Sequence, residues 1–280
     1  MGDGSSIARV KVPVGEVVVE AYRSVFGQLG LFLDLAGLPL LIQLAVSVVP
    51  SLALHFLPGK VPSVSEDALL YLELAAGIVC VTAFGVRWYA AMLFADGRAL
   101  PRAAYLKAWL RFMLYALVFS IPSVIAIQVS PDRLAAESGP ALDASLQSTV
   151  IALIMTAGVA FGLLVFLAYC RWSLLFPAAA YGRPIGWSEA WRRMRGNTWR
   201  YVGCLLLTTL PFVLAVGFLE NVALALTGFN DLNAMKAAQA TPGGILLDGL
   251  CDTIVFFVGF ALGASILTGF YRRLVLHRPT

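Results

Sequence analysis

Few side chains in this sequence are equipped for chemistry, and those few stand apart. His55 and His277 have no ligating companion at helical spacing, so a zinc site is not expected. Cys80, Cys170, Cys204 and Cys251 occur singly inside apolar runs, which suits small buried hydrophobes and argues against a disulfide framework or redox pair. No Gly-rich phosphate loop or Gly-x-Ser-x-Gly elbow appears, so no catalytic residue, cofactor or enzymatic activity is expected. What remains is charge at the ends of apolar runs. Arg87-Trp88 and Arg171-Trp172 have the types that anchor at a membrane interface: tryptophan at headgroup depth, and arginine reaching for phosphate. One reading is plain snorkelling of the two arginines; the other is a lipid-phosphate pocket in which they pair with a headgroup or with Asp34. At the other ends of the runs Glu73, Glu220, Asp248 and Asp252 gather, either as solvated helix termini or as a cation or substrate vestibule.

These residues hang on an unusually apolar chain. Hydrophobic residues make up 60% and charged residues 13% of the 280 positions, against about 45–50% and 25% in soluble domains, and the mean hydropathy is +0.84. The composition specifies a multispanning membrane protein. Apolar runs continue without the alternation of a β-barrel and without a polar half, so residues 1–280 read as one all-α membrane domain. A bilayer core of about 30 Å takes about 20 helical residues. Six runs qualify: Leu29–Phe56, Ala68–Ala95, Trp109–Val129, Val150–Ala180, Tyr201–Leu226 and Ile245–Leu276. Pro39, Pro50, Pro122, Pro177 and Pro211 are expected as kinks or helix ends. The stretch Gly15–Gln28 contains acids and reads as an interfacial helix rather than a cleavable leader.

With six spans, 17 of the 20 basic residues fall on the side of the two termini, and only Lys60, Arg133 and Lys236 on the other. That other side collects most of the acids, among them Glu66, Asp67, Asp132, Glu137, Asp143 and Asp231. The bias places both termini in the cytoplasm. The net charge of +4 is then a rim facing anionic headgroups, and no nucleic-acid partner is implied.

The densest part of the rim is Tyr169–Gly196, "YCRWSLLFPAAAYGRPIGWSEAWRRMRG". Trp187, Trp191 and Met194 follow i, i+4, i+7 and form an apolar stripe, while Arg192, Arg193 and Arg195 point elsewhere, as in a helix lying in the headgroup plane. Pro184 suits its start, Ser188 its cap and Gly196-Asn197 its end. Related segments begin at Glu20, Lys107 and Glu189, each an Ala-aromatic pair, an arginine, then a proline-containing span; the return spans end in "GVRWY", "YCRWS" and "FYRRL". This predicts three repeated hairpins, 15–98, 99–183 and 184–280, each with an interfacial helix on the cytoplasmic side. Gly158, Gly162, Gly259 and Gly263 are candidates for close helix packing.

The run from Arg171 to Gly203 resembles bacterial integral membrane proteins related to the membrane domain of glycerophosphodiester phosphodiesterase-type proteins, through Arg171, Leu175, Pro177, Ala178, Ala190, Trp191, Arg192 and Gly196. The resemblance implies a bacterial inner-membrane location and an accessory role, and no phosphodiesterase activity, which in those proteins belongs to a separate soluble domain. Asp96-Gly97 is similar to the opening of the CDP-alcohol phosphotransferase motif, but the later aspartates are missing and a turn is the better reading. The expected function is therefore a non-catalytic accessory or scaffold component. It would bind anionic lipid or a membrane-protein partner through its interfacial helices, with Arg87, Trp88, Arg171, Trp172, Trp191, Arg192 and Arg195 as contacts. The alternative is a small transporter or channel whose path runs between the hairpins.

Overall fold

The computed structural model describes residues 11–56, 66–94, 101–128, 144–226 and 241–276. Every regular element among them is helical: α1 Val14–Phe26, α2 Leu29–Phe56, α3 Glu66–Leu93, α4 Arg102–Gln128, α5 Ala144–Trp172, α6 Leu175–Ala180, α7 Trp187–Met194, α8 Thr198–Leu226 and α9 Pro242–Leu274. Six stretches are long and apolar enough to cross a membrane: Leu29–Ala53, Ala68–Leu93, Arg102–Pro122, Thr156–Ala180, Thr198–Leu219 and Pro242–Leu274. Each overlaps one of the six runs read from hydropathy, the third starting and ending seven residues earlier than read. The chain is an all-α polytopic bundle.

The start of α1 and the end of α9 meet on one face, called here the terminal face. α9 is the central element: it packs on α1, α2, α3, α6 and α8, and carries the longest series of buried side chains, from Phe257 to Tyr271. Its start is well specified, with Pro242 in the first turn and the Thr241 hydroxyl accepting from Gly244 N–H at 3.1 Å. α2 pairs with α3 and α8 with α9, as successive spans joined by a hairpin should.

α1 is amphipathic, with Val17, Ala21 and Val25 fully buried at i, i+4, i+8. It does not lie apart from the bundle. Its start is clamped at the rim, where Val12 N–H donates to Asn197 Oδ1 at 3.1 Å and Arg200 donates to the Val12 carbonyl at 2.9 Å. Further along, the Tyr22 hydroxyl donates to the Thr208 carbonyl at 2.8 Å, about three turns inside α8 at 3.6 residues per turn. α1 is thus a slanted wedge against α8 and α9.

The structure refines or changes the sequence expectations at three points. First, the span read as Val150–Ala180 breaks at Ser173-Leu174, in keeping with the kink or helix end expected at Pro177. Pro177 has no N–H for the Ser173 carbonyl, which accepts instead from Phe176 N–H at 3.1 Å, and α6 resumes beyond the break. Every residue of α6 is buried, against α3, α4 and α9. Second, the segment at Lys107 is no separate interfacial helix, since α4 runs unbroken from Arg102. Third, Gly158 and Gly162 are exposed, a Cβ on either or on Gly259 would meet nothing within 4 Å among the described residues, and one on Gly263 would meet only Leu205 at 3.7 Å. The close approaches fall at other glycines: a Cβ on Gly85 would stand 2.8–3.0 Å from the Phe260 and Phe112 rings, and one on Gly249 would strike Val48.

Candidate functional site

The terminal face is where arginine and tryptophan converge. α7 starts at Trp187 behind Gly186, with no side-chain cap, so Ser188 lies inside the helix instead of capping it. It ends before Gly196, whose φ of +89° makes the turn that a side chain would strain. Ala190 and Met194 are buried. Trp187 and Trp191 stay partly exposed but lean on the end of α5: Trp172 is 5.3 Å from Trp187 and 5.4 Å from Trp191 between ring centroids, and the Arg171 guanidinium sits 4.4 Å above Trp191. Trp187 also meets Tyr115 edge-on at 5.5 Å. The stripe that sequence aims at headgroups is largely a docking surface that fixes α7 to α5.

Eight of the arginines fall into two groups. Arg272 donates to the Met92 carbonyl near the end of α3, and Arg193 to the Leu274 carbonyl ending α9 at 2.6 Å, with Glu189 2.7 Å away. Arg200 holds Val12, and Arg273, almost wholly buried, bridges Glu20 at 2.9 Å and Glu16 at 3.4 Å. These four are structural. Arg87, Arg183, Arg192 and Arg195 are exposed and make no ion pair among the described residues; Arg87 and Arg183 only face the Tyr105 and Tyr181 rings at 5.8 and 5.7 Å. No ion pair joins Arg87 or Arg171 to Asp34 among the described residues. Trp88 also departs from expectation: it is fully buried, its Nε1–H donates to Ser265 Oγ at 3.1 Å, and Phe32 and Phe84 pack on it, so it belongs to the core and not to the headgroup rim. A small polar crevice of about 140 Å³ opens on the same face between α1, α3 and α9, lined by Arg23, Ser24, Gln28, Thr268 and Arg272 among others.

Toward the opposite face a cavity of about 560 Å³ lies between α2, α3, α4 and α9. Two of the expected acids, Glu73 and Asp252, line it; Asp248 is exposed one turn further out on α9, and the side chain of Glu220 lies outside the described residues. So do Lys60, Asp96, Asp132, Arg133, Glu137, Asp143, Asp231, Lys236 and His277. Most of the wall is apolar, from Leu70, Leu74, Ile78, Val81 and Phe256. At depth stands a residue that sequence reasoning passed over: Gln43, near the middle of the first span, is 7% exposed and its Oε1 is buried with no hydrogen-bond partner. The signal was present in "LLIQLAV", an amide interrupting an apolar run. About a turn beyond Val81 and Phe256, Phe84 packs on Phe257 and Phe260 at 5.7 and 5.9 Å and on Trp88, which closes the way to the terminal face. His55 lies against Phe56, and no three His, Cys, Asp or Glu side chains converge as metal ligands among the described residues. Comparison with known protein families, with curated proteins and with solved structures finds no match for this chain.

Proposed function

We propose that this chain is a non-catalytic accessory protein of a bacterial inner membrane, with both termini cytoplasmic, whose terminal face holds anionic lipid headgroups. The observation that carries the reading is the division of the arginines. Four are consumed inside the fold, yet Arg87, Arg183, Arg192 and Arg195 are exposed and make no ion pair among the described residues, on the side that also carries the partly exposed Trp187 and Trp191 and the exposed Trp199. Guanidinium groups at headgroup depth meet phosphate with charge-assisted hydrogen bonds, and tryptophan fixes that depth. The polar crevice bearing Arg23 and Ser24 opens on the same face, with Glu20, held by Arg273, also in its lining. The resemblance of Arg171–Gly203 to accessory bacterial membrane proteins points the same way.

Native mass spectrometry after extraction in mild detergent tests this. The wild type is expected to retain phosphatidylglycerol or cardiolipin, and the triple variant Arg87→Ala, Arg192→Ala, Arg195→Ala to lose most of it while keeping its elution profile. Equal anionic lipid in both would discard the reading. Reporter fusions at each terminus check the orientation independently.

The cavity supports a second reading, a transporter seen with one side open. For that, the contacts among Phe84, Phe257 and Phe260 would have to part in another state.

A further inference from the structure

The cavity between α2, α3, α4 and α9 stands apart from the headgroup rim and has its own chemistry. Among the described residues its lining includes two carboxylates, Glu73 and Asp252, and no lysine or arginine. Glu73 is half-buried and Asp252 exposed, and carboxylates at the rim of an apolar cavity in a membrane bundle draw a positive partner. Gln43 adds an independent demand. Among the described residues its buried Oε1 has no donor, which a buried acceptor ordinarily finds, and the side chain lines the same space. Gly77 lies between these features: one turn below Glu73 on α3, it has no side chain, and a Cβ there would stand 3.6 Å from Gln43 Oε1. A side chain there would lie against the amide, and glycine leaves that space to the cavity.

A group that answers all of this donates hydrogen bonds, carries positive charge and brings an apolar body. We propose that the cavity is a binding site for a primary ammonium carried on an apolar chain, with the ammonium donating to Gln43 Oε1 in the field of Glu73 and Asp252 and the chain lying along Leu74, Ile78 and Phe256. A free lipophilic amine and an ethanolamine headgroup share this chemistry. A metal cation would want several oxygen ligands, and a neutral chain would leave both carboxylates unanswered.

The test uses the full chain in nanodiscs of phosphatidylcholine, titrated with dansylcadaverine, a fluorescent primary amine, and with its uncharged counterpart N-pentyl dansylamide. The wild type is expected to bind the amine saturably and at least tenfold more tightly than the uncharged probe. Glu73→Gln with Asp252→Asn removes that preference, and Gln43→Leu weakens the amine about tenfold; both leave the uncharged probe unchanged, which also shows that the cavity is intact. Gly77→Leu, which fills the space, abolishes binding of both, while the Arg87, Arg192, Arg195 triple variant changes neither and so separates this site from the headgroup rim. Adding phosphatidylethanolamine assigns the source: competition identifies the headgroup, and its absence identifies a free amine. Equal affinity for the two probes in the wild type, or an amine affinity untouched by the carboxylate and Gln43 variants, would overturn the proposal and leave an apolar crevice filled by acyl chain.

Discussion

Glycines that look alike in the sequence do opposite work in the fold. Gly85 lets α3 approach α4 and α9, because its missing Cβ is the space that the rings of Phe112 and Phe260 occupy at 2.8–3.0 Å. A Cβ on Gly158 of α5 would meet nothing within 4 Å among the described residues. Gly85→Ala is therefore expected to overpack the core and lower stability by about 1–3 kcal/mol, read as an earlier unfolding midpoint in mixed micelles, while Gly158→Ala produces no loss. A midpoint for Gly85→Ala equal to wild type would refute this packing. The i, i+4 spacing of Gly158-Gly162 is visible in the sequence, but which helix passes close to a glycine is decided by side chains far away in the chain, as Phe260 is from Gly85. The arginines show the same limit. α3 and α9 end on the terminal face, where their last carbonyls carry the negative end of the helix dipole, and Arg272 and Arg193 supply donors to them. Charge bias in the sequence gives their side of the membrane. It does not say which arginine will cap a neighbouring helix and which, like Arg192, will stay exposed.

Among the elements, α7 shows how a short helix of low intrinsic stability is held in place. It has only eight residues, and isolated helices of that length do not persist in water. The ring contacts of Trp172 with Trp187 and Trp191, together with Arg171 above Trp191, hold it to the end of α5. A cation–π contact of this kind contributes about 0.5–2 kcal/mol and an aromatic pair about 0.5–1.5 kcal/mol. Trp191→Ala removes both at once. The expected outcome is faster protease cleavage between Tyr181 and Gly196 with the six-span topology unchanged. Cleavage at the wild-type rate would mean that the buried Ala190 and Met194 suffice. The helical stripe and its end before Gly196 are legible because amphipathic spacing is local, whereas the start is not, since Gly186 and not Ser188 precedes the first turn. The stripe's partner is not legible either, since Trp172 follows an arginine just as Trp88 does, yet one lies at the rim and the other, bonded to Ser265, in the core. The break before α6 could be read from Pro177 as a kink. Its complete burial depends on α3, α4 and α9 together.

At the scale of the whole molecule, the bundle is closed by its beginning and its end. The six spans and their order follow from hydropathy, because the bilayer reads length and polarity alone. The closure does not, since it depends on α1 finding the groove between α8 and α9. Arg273 is the fastening: 9% exposed, it bridges Glu20 and Glu16 one turn apart on α1, beside Gly269, which meets Val17. Removing a nearly buried cation that holds carboxylates strands them, and hydrogen bonds to charged groups contribute about 1.5–3 kcal/mol each where solvent is excluded, less at the exposed Glu16. Arg273→Ala should therefore release α1 without unfolding the spans. A single cysteine at Val17, fully buried in the wild type, reports this directly. In the Arg273→Ala background its labelling by a water-soluble maleimide should rise at least tenfold, whereas a cysteine at Phe257, deep in the bundle, stays protected. Arg273→Lys keeps the charge but loses the planar fork that reaches both carboxylates, and should fall between the two. Equal rises at both positions would mean that α1 and the spans form one cooperative unit, and no rise at Val17 would mean that its apolar face, not Arg273, holds the closure.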